Sequence, residues 1–272
     1  MITSLADAVD ENVFGGKAVQ LGAAIRNRLP VPAGYALSPE VVEAIARGDP
    51  AAIGDLDRVS VELGLSAVRS SALDEDSLDA SFAGAHLSVL AVSGLDAMAA
   101  AVRAVHGSGR DPGAQSYRVK LGLPLNTRMA VVIQVLIDAE MAGVLFTRNP
   151  VSGADERVIE ASWGLGEAVV SGMVTPDSYR VARGGAVIER RLGEKDVAIR
   201  AVSDPKAETT TEEVSVRPDL VEVFCLGEAE LAALDLLASQ CERVYGSTGH
   251  DIEFAFSNGQ LFLLQRRPIT SA

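Results

Sequence analysis

Two cysteines in 272 residues, Cys225 and Cys241, cannot supply a disulfide framework, and neither belongs to a CxxC pair. Both fall within residues 219–245, a stretch of helical periodicity in which they stand too far apart to bridge, so a reducing compartment is expected. The three histidines, His86, His106 and His250, form no HxxxH or Cys/His cluster, which leaves a zinc site without ligands. Serines are plentiful, but none has a placed base for hydrolytic chemistry. Lysine is confined to Lys17, Lys120, Lys195 and Lys206, and aromatic residues make up 4% of the chain, so the core must come from Val, Leu, Ile and Ala. No run reaches 18 apolar residues, and the first thirteen lack a basic-plus-apolar signal pattern. No membrane partner is therefore expected, and a cytoplasmic location is the default. Positive charge is also in deficit: 37 acidic against 24 basic residues give −13, which argues against a nucleic-acid partner. A local cluster of Arg or Lys can still hold a phosphate against that background.

What is present is a globular chain, 48% apolar and long enough for one large domain or two subdomains around a shared cleft. Val19, Leu21, Ile25 and Leu29 recur at helical spacing after Gly15-Gly16-Lys17, and Pro30 and Pro32 end that helix. Ser38-Pro39-Glu40 reads as a helix start, and residues 94–105 as a further helix. Residues 66–71, 129–137, 144–147, 157–161 and 197–201 read as strands, and 179–182 with 186–190 as a hairpin. The polar run 204–213 reads as a mobile loop or junction, and 219–245 as one long helix. The mixture is α/β (α+β), with approximate subdomains 1–115 and 116–272.

The C-terminal segment carries the densest chemistry. Asp251, Glu253 and Ala255 alternate with Ile252, Phe254 and Phe256, and the return strand carries Gln265, Arg266 and Arg267. A strict two-residue turn at Asn258-Gly259 pairs Glu253 with Leu264. A three-residue loop or a bulge pairs Glu253 with Gln265 and Asp251 with Arg267. The second register is preferred, because it groups Phe254, Phe256, Phe262 and Leu264 on one face and the polar groups on the other. Carboxylate and amide oxygens suit Mg²⁺, and a guanidinium suits phosphate. An ordinary solvated face with an Asp–Arg pair explains the same spacing equally well.

Upstream, Gly15-Gly16-Lys17 lacks P-loop spacing, although its glycines permit close backbone approach and its lysine can reach phosphate. A helix start with a solvated lysine is the simpler account. Arg69, within Ala67-Val68-Arg69-Ser70-Ser71, is costly in an apolar strand unless it is paired or projects into a cleft. Ser81-Phe82-Ala83-Gly84 reads as a flap over phosphate or a plain tight turn, and Trp163-Gly164-Leu165-Gly166-Glu167 as a ligand approach or a loop.

In order along the chain, Val31-Pro32-Ala33-Gly34-Tyr35, Val68-Arg69-Ser70-Ser71-Ala72, Ser81-Phe82-Ala83-Gly84 and Ser116-Tyr117-Arg118 resemble the N-terminal nucleotide-binding domain of phosphoenolpyruvate synthases and pyruvate, phosphate dikinases. Gly143-Val144-Leu145-Phe146-Thr147, Trp163-Gly164-Leu165-Gly166-Glu167, Thr175-Pro176-Asp177, Asp251-Ile252-Glu253-Phe254 and Gln265-Arg266-Arg267-Pro268 continue the resemblance. It implies an ATP-grasp-like fold with a nucleotide cleft between two subdomains, and ATP and Mg²⁺ as cofactors. By the same resemblance Lys17, Arg69 and Arg267 contact phosphate and carry catalysis, Glu253 and Gln265 hold Mg²⁺, Asp251 shapes the metal–nucleotide edge, and the Ser81 to Gly84 loop closes over the triphosphate. In complete relatives a histidine on a separate carrier domain accepts the phosphoryl group, and pyruvate or a similar molecule receives it on a further domain. None of the three histidines here matches the carrier motif, so the carrier and the pyruvate/phosphoenolpyruvate-binding domain are expected outside residues 1–272. The span 41–65 is shorter than the family's usual helical insertion. The resemblance implies a phosphotransferase component; a non-catalytic ATP-binding regulatory or interaction protein and an ATP-grasp ligase are the alternatives.

Overall fold

Residues 129–135 (Met-Ala-Val-Val-Ile-Gln-Val) are almost continuously apolar, the pattern of a strand covered on both faces. In the computed structural model, which describes residues 1–73, 87–110, 128–202, 210–246 and 249–269, that strand sits inside a five-stranded sheet and six of its seven residues are buried. The sheet contains β1 (Ile2–Ser4), β2 (Gly34–Leu37), β3 (Ser66–Ala72), β4 (Ser88–Val92) and β5 (Met129–Val135), in the order β1-β2-β5-β3-β4. Every pairing in it is antiparallel.

One face of this sheet is covered by α2 (Pro39–Arg47), α3 (Pro50–Leu63) and α4 (Leu95–Ser108), whose Val42, Ile45, Leu56, Met98 and Val102 pack with Val68, Val131 and Ile133. Asp49 caps α3 by accepting from the amides of Ala51 and Ala52. On the opposite face α1 (Glu11–Arg26) lies over β3 and β5. Residues 67, 69 and 71 therefore face α1, while 66, 68 and 70 face the other helices.

The chain divides into two units: residues 1–26 with 32–136, and residues 27–31 with 137–272. The boundary falls after Leu136, later than the expected position near residue 115, because β5 pairs with β2 and β3 and belongs with them.

The second unit holds a six-stranded antiparallel sheet of β6 (Met141–Phe146), β7 (Glu156–Trp163), β8 (Asp177–Ala182), β9 (Val187–Arg191), β12 (His250–Ser257) and β13 (Gln260–Pro268), in the order β13-β12-β6-β7-β8-β9. A separate pair joins β10 (Val197–Ala201) to β11 (Thr211–Ser215), so the end of the polar run expected as a loop is a strand.

The long helix expected over 219–245 is broken. A short α6 (Pro218–Val221) follows the one-turn α5 (Glu167–Val170), and α7 begins only at Glu228 and runs to Tyr245. Between α6 and α7 the Cys225 amide donates to Asp177 Oδ2 at 2.8 Å and the Leu226 amide to the Tyr179 hydroxyl at 3.1 Å. Both amides are thereby taken out of a helical ladder. Glu230 then accepts from the Gly227 amide at 2.9 Å and opens α7. Cys225 thus lies outside any helix, and both cysteines are free and buried. The buried stripe of α7, including Leu231, Leu234, Leu237, Ala238 and Cys241, packs over β6, β12 and β13.

Two buried ion-pair systems anchor this unit. Arg157, fully buried on β7, donates to Asp235 (2.9 Å) and Glu242 (2.7 Å) of α7, to Ser239 and to the Thr147 carbonyl. Lys195 and Asp177, each 0% exposed, form a 2.9 Å pair, and Asp177 also accepts from the amides of Gly193 and Cys225 and from the Tyr179 hydroxyl.

Candidate functional site

In the first unit, the glycine turn does not simply open a helix. Gly15 adopts φ 75° and ψ 164° and interrupts α1 between its first turn and Gly16. A Cβ at Gly15 would lie 2.1 Å from the Ser71 carbonyl oxygen, so only glycine permits this approach to β3. Lys17 follows, and it is 5% exposed rather than solvated. Its Nζ donates to the Ser70 carbonyl at 2.7 Å. Arg69, half-exposed, pairs in register with Val132 of β5 and Ser88 of β4 and stands on the α1 side of the sheet. The two cations are thus on one side of one sheet, attached to neighbouring residues of β3. Gln134, which no local motif marks, occupies the same face in register with Ala67, and its amide nitrogen donates to the Pro32 carbonyl at 3.2 Å.

In the second unit, β12 and β13 pair Asp251 with Arg267 and Glu253 with Gln265. Two devices produce this register. Asn258 and Gly259, at φ 51° and 72°, make the two-residue turn. A bulge between Glu253 and Phe254 then absorbs Leu264. The polar pairing is the preferred one, but the apolar grouping differs. Phe254 faces Leu263 and Phe256 faces Leu261, while Phe262 pairs with Ala255 on the opposite side. The bulge lies between the tip and the polar pairs, so the tip keeps the phase of the tight turn.

The polar face continues across the sheet. Glu253 pairs with Val144, which pairs with Glu160, so Glu160 stands on the same face two strands away, about 10 Å by strand spacing. No local motif marks Glu160; the strand order alone brings it into the row. Asp251 is 7% exposed, and its Oδ2 accepts from Arg267 Nε at 2.7 Å. Burial pushes the Asp251 carboxyl above its ordinary value, and the Arg267 guanidinium pulls the other way without cancelling it. Behind this edge, Arg266 Nε donates to His250 Nδ1 at 2.9 Å and its guanidinium carbon lies 4.4 Å from the Tyr245 ring centroid. His250 is therefore a buried packing partner.

The other sequence motifs resolve differently. Gly164, at φ 81°, bridges to Ile199, and a Cβ there would lie 2.5 Å from the Ile199 carbonyl oxygen; its close approach is to β10. Trp163 Nε1 donates to the Leu220 carbonyl. Ser81 and Gly84 lie outside the described residues, as does Ser116-Tyr117-Arg118. Among the described residues no group of three or more His, Cys, Asp or Glu is placed to hold a metal ion, and no helix is long and apolar enough to cross a membrane. The Glu253–Gln265 pair supplies two oxygen donors on one face, which fits Mg²⁺, an ion that keeps waters and takes phosphate oxygens for its remaining positions.

Residues 37–272 match the family described as pyruvate phosphate dikinase, AMP/ATP-binding domain. The chain belongs to that family. A probable phosphoenolpyruvate synthase from Methanothermobacter thermautotrophicus is 33% identical over 96% of this chain and 44% of its own length. The phosphoenolpyruvate synthase of Pyrococcus furiosus is 38% identical over 75% of this chain and 26% of its own, and the uncharacterized phosphotransferase YvkC of Bacillus subtilis 39% identical over 75% and 24%. The chain thus spans less than half the length of these relatives. This AMP/ATP-binding domain has the mixed α/β architecture expected from the residue pattern, and its sheets are antiparallel.

Proposed function

We propose that this domain binds Mg-ATP as the nucleotide end of an ATP-grasp-like phosphotransferase and passes a phosphoryl group to a histidine carried on another domain or chain. The register that sets Glu253 against Gln265 and Asp251 against Arg267 is the observation that carries this reading. Phosphoryl transfer needs positive groups around the moving phosphate more than it needs covalent help from the protein. Lys17, Arg69 and Arg267 are each assigned the role of a phosphate contact. Glu253 and Gln265 hold Mg²⁺, which when bound offsets the charge of the phosphate oxygens. Asp251 fixes the Arg267 guanidinium through the 2.7 Å bond to Nε. In the transfer, a carrier imidazole nitrogen forms an N–P bond as the P–O bond to the departing nucleotide breaks, and the guanidinium groups take up the leaving charge. Pyruvate or a related small acid is the proposed final acceptor. The family membership and the names of the relatives support the reading.

Calorimetry with Mg-ATP tests the site. Arg69→Ala and Arg267→Ala should each weaken binding by roughly 10- to 100-fold, the range for a lost charged hydrogen bond. Unchanged affinity in both removes the assigned phosphate site. Incubation with β- or γ-labelled ATP and a carrier domain from a full-length relative tests the reaction, and no labelled carrier despite confirmed ATP binding rejects the transferase role.

A further inference from the structure

Ser71 is buried at 0% exposure on β3, two residues from Arg69 and on the same face. Its hydroxyl donates to the Phe14 carbonyl at 2.7 Å and accepts from the Ala18 amide at 3.2 Å. These two bonds bracket Gly15, Gly16 and Lys17. The Ser71 carbonyl also fills the space a Cβ of Gly15 would need, and the preceding Ser70 carbonyl holds the Lys17 ammonium. One dipeptide of β3 therefore clasps the glycine turn at both ends and its lysine at the tip.

We propose that Ser71 is the positioning residue for Lys17, fixing the ammonium beside Arg69 for the phosphates of ATP. The inference rests on the assignment of Lys17 to the phosphate region. A hydroxyl used once as donor and once as acceptor on either side of the Gly15 break sets how α1 resumes at Gly16 and Lys17. A glycine-rich turn without such a clasp samples many backbone states, and its lysine samples more. The clasp is separate from substrate contact: Ser71 acts through the backbone of residues 14–18, and Lys17 makes the contact.

The test is calorimetry of Mg-ATP and of adenosine on Ser71→Ala, Lys17→Ala and the double variant, with thermal melts to confirm folding. Ser71→Ala should weaken ATP roughly tenfold, from the loss of a buried hydroxyl with two partners, and leave adenosine within twofold of wild type. In the Lys17→Ala background the same substitution should change ATP affinity little, because the lysine it serves is gone. Independent effects that multiply, an equal loss for adenosine, or wild-type ATP affinity in Ser71→Ala overturn the inference while leaving Lys17 as a phosphate contact. If Lys17→Ala binds ATP as wild type does, the assignment of Lys17 falls and the inference with it. Should Ser71→Ala melt below the working temperature, Ser71→Thr and Ser71→Val, nearly isosteric and differing in the hydroxyl, replace it. The threonine variant should then bind ATP at least fivefold tighter than the valine variant, and equal binding overturns the inference.

Discussion

Replacing Lys195 with methionine keeps the aliphatic stem and deletes the ammonium from a site with no solvent access. At 2.9 Å and an effective dielectric near 20, the attraction between Lys195 and Asp177 is about 6 kcal/mol before desolvation is counted. Removing one member of such a pair costs about 3–5 kcal/mol, because the remaining charge stays buried. Asp177 keeps three donors in the variant, the Gly193 and Cys225 amides and the Tyr179 hydroxyl, which moves the expectation to the lower part of that range, about 3 kcal/mol. Asp177→Leu should cost more than Lys195→Met, since it strands two backbone amides and leaves the buried Lys195 ammonium only the Val221 carbonyl. Urea unfolding followed by circular dichroism and by Trp163 fluorescence measures both. A cost below about 1 kcal/mol for Lys195→Met, or the reverse order of the two variants, would refute the claim that this pair anchors the second unit.

Gly143→Ala should prevent β6 from pairing with β7, because its Cβ would lie 1.9 Å from the Glu160 carbonyl oxygen; a loss of about 3 kcal/mol or more, or insoluble expression, is expected in a melt or a solubility assay. Both thiols should resist a disulfide-exchange reagent in the native protein and react once unfolded, since burial pushes Cys241 up to about 12 and raises Cys225 as well; fast labelling of either in buffer contradicts their placement. Acid should weaken the second unit. Hydrogen bonds from Arg183 to Asp155, from Arg180 to Glu156 and from Arg191 and Arg180 to Glu189 hold those carboxyls below their ordinary values, and on Glu242 burial pushes upward but Arg183 and Arg157 outweigh it. A depressed folded value means that the stabilisation is present above the unfolded value and is lost as pH falls through the folded one, so the urea midpoint should drop below the ordinary carboxylate range. Asp251 has the opposite sign: its raised value gives stability at low pH that is lost as pH climbs through the folded value, so Asp251→Asn should remove that component.

Local pattern reveals much of the fold and the polar row of the C-terminal hairpin. Alternation in residues 250–257 and the turn pair Asn258-Gly259 are near-neighbour signals, and they lead to the hairpin and to a choice between two registers. The remainder depends on contacts distant in sequence. The helix break before Glu228 is made by Asp177 and Tyr179, nearly fifty residues earlier, capturing the Cys225 and Leu226 amides. The Lys17 ammonium is held by the Ser70 carbonyl on β3, 53 residues away, and a lysine after two glycines reads from sequence as a solvated one. Glu160 joins the Glu253 row only through the strand order, to which its own neighbours give no clue. The shift of the unit boundary has the same origin, since β5 reads as a strand from its residues, but its partners β2 and β3 come much earlier in the chain.

The bulge at Leu264 has a consequence for how this hairpin can vary in length. Leu264 is a spare residue between a tip in one phase and a root in the other. A deletion anywhere in residues 261–264 can be absorbed by ironing out the bulge, and Gln265 and Arg267 would still meet Glu253 and Asp251. An insertion in the same stretch has no such slack to draw on and would turn the amide and the guanidinium toward the helix side of the sheet. The tip is thus free to shorten by one step but not to grow by one, an asymmetry that a length-scanning library of the hairpin would register directly.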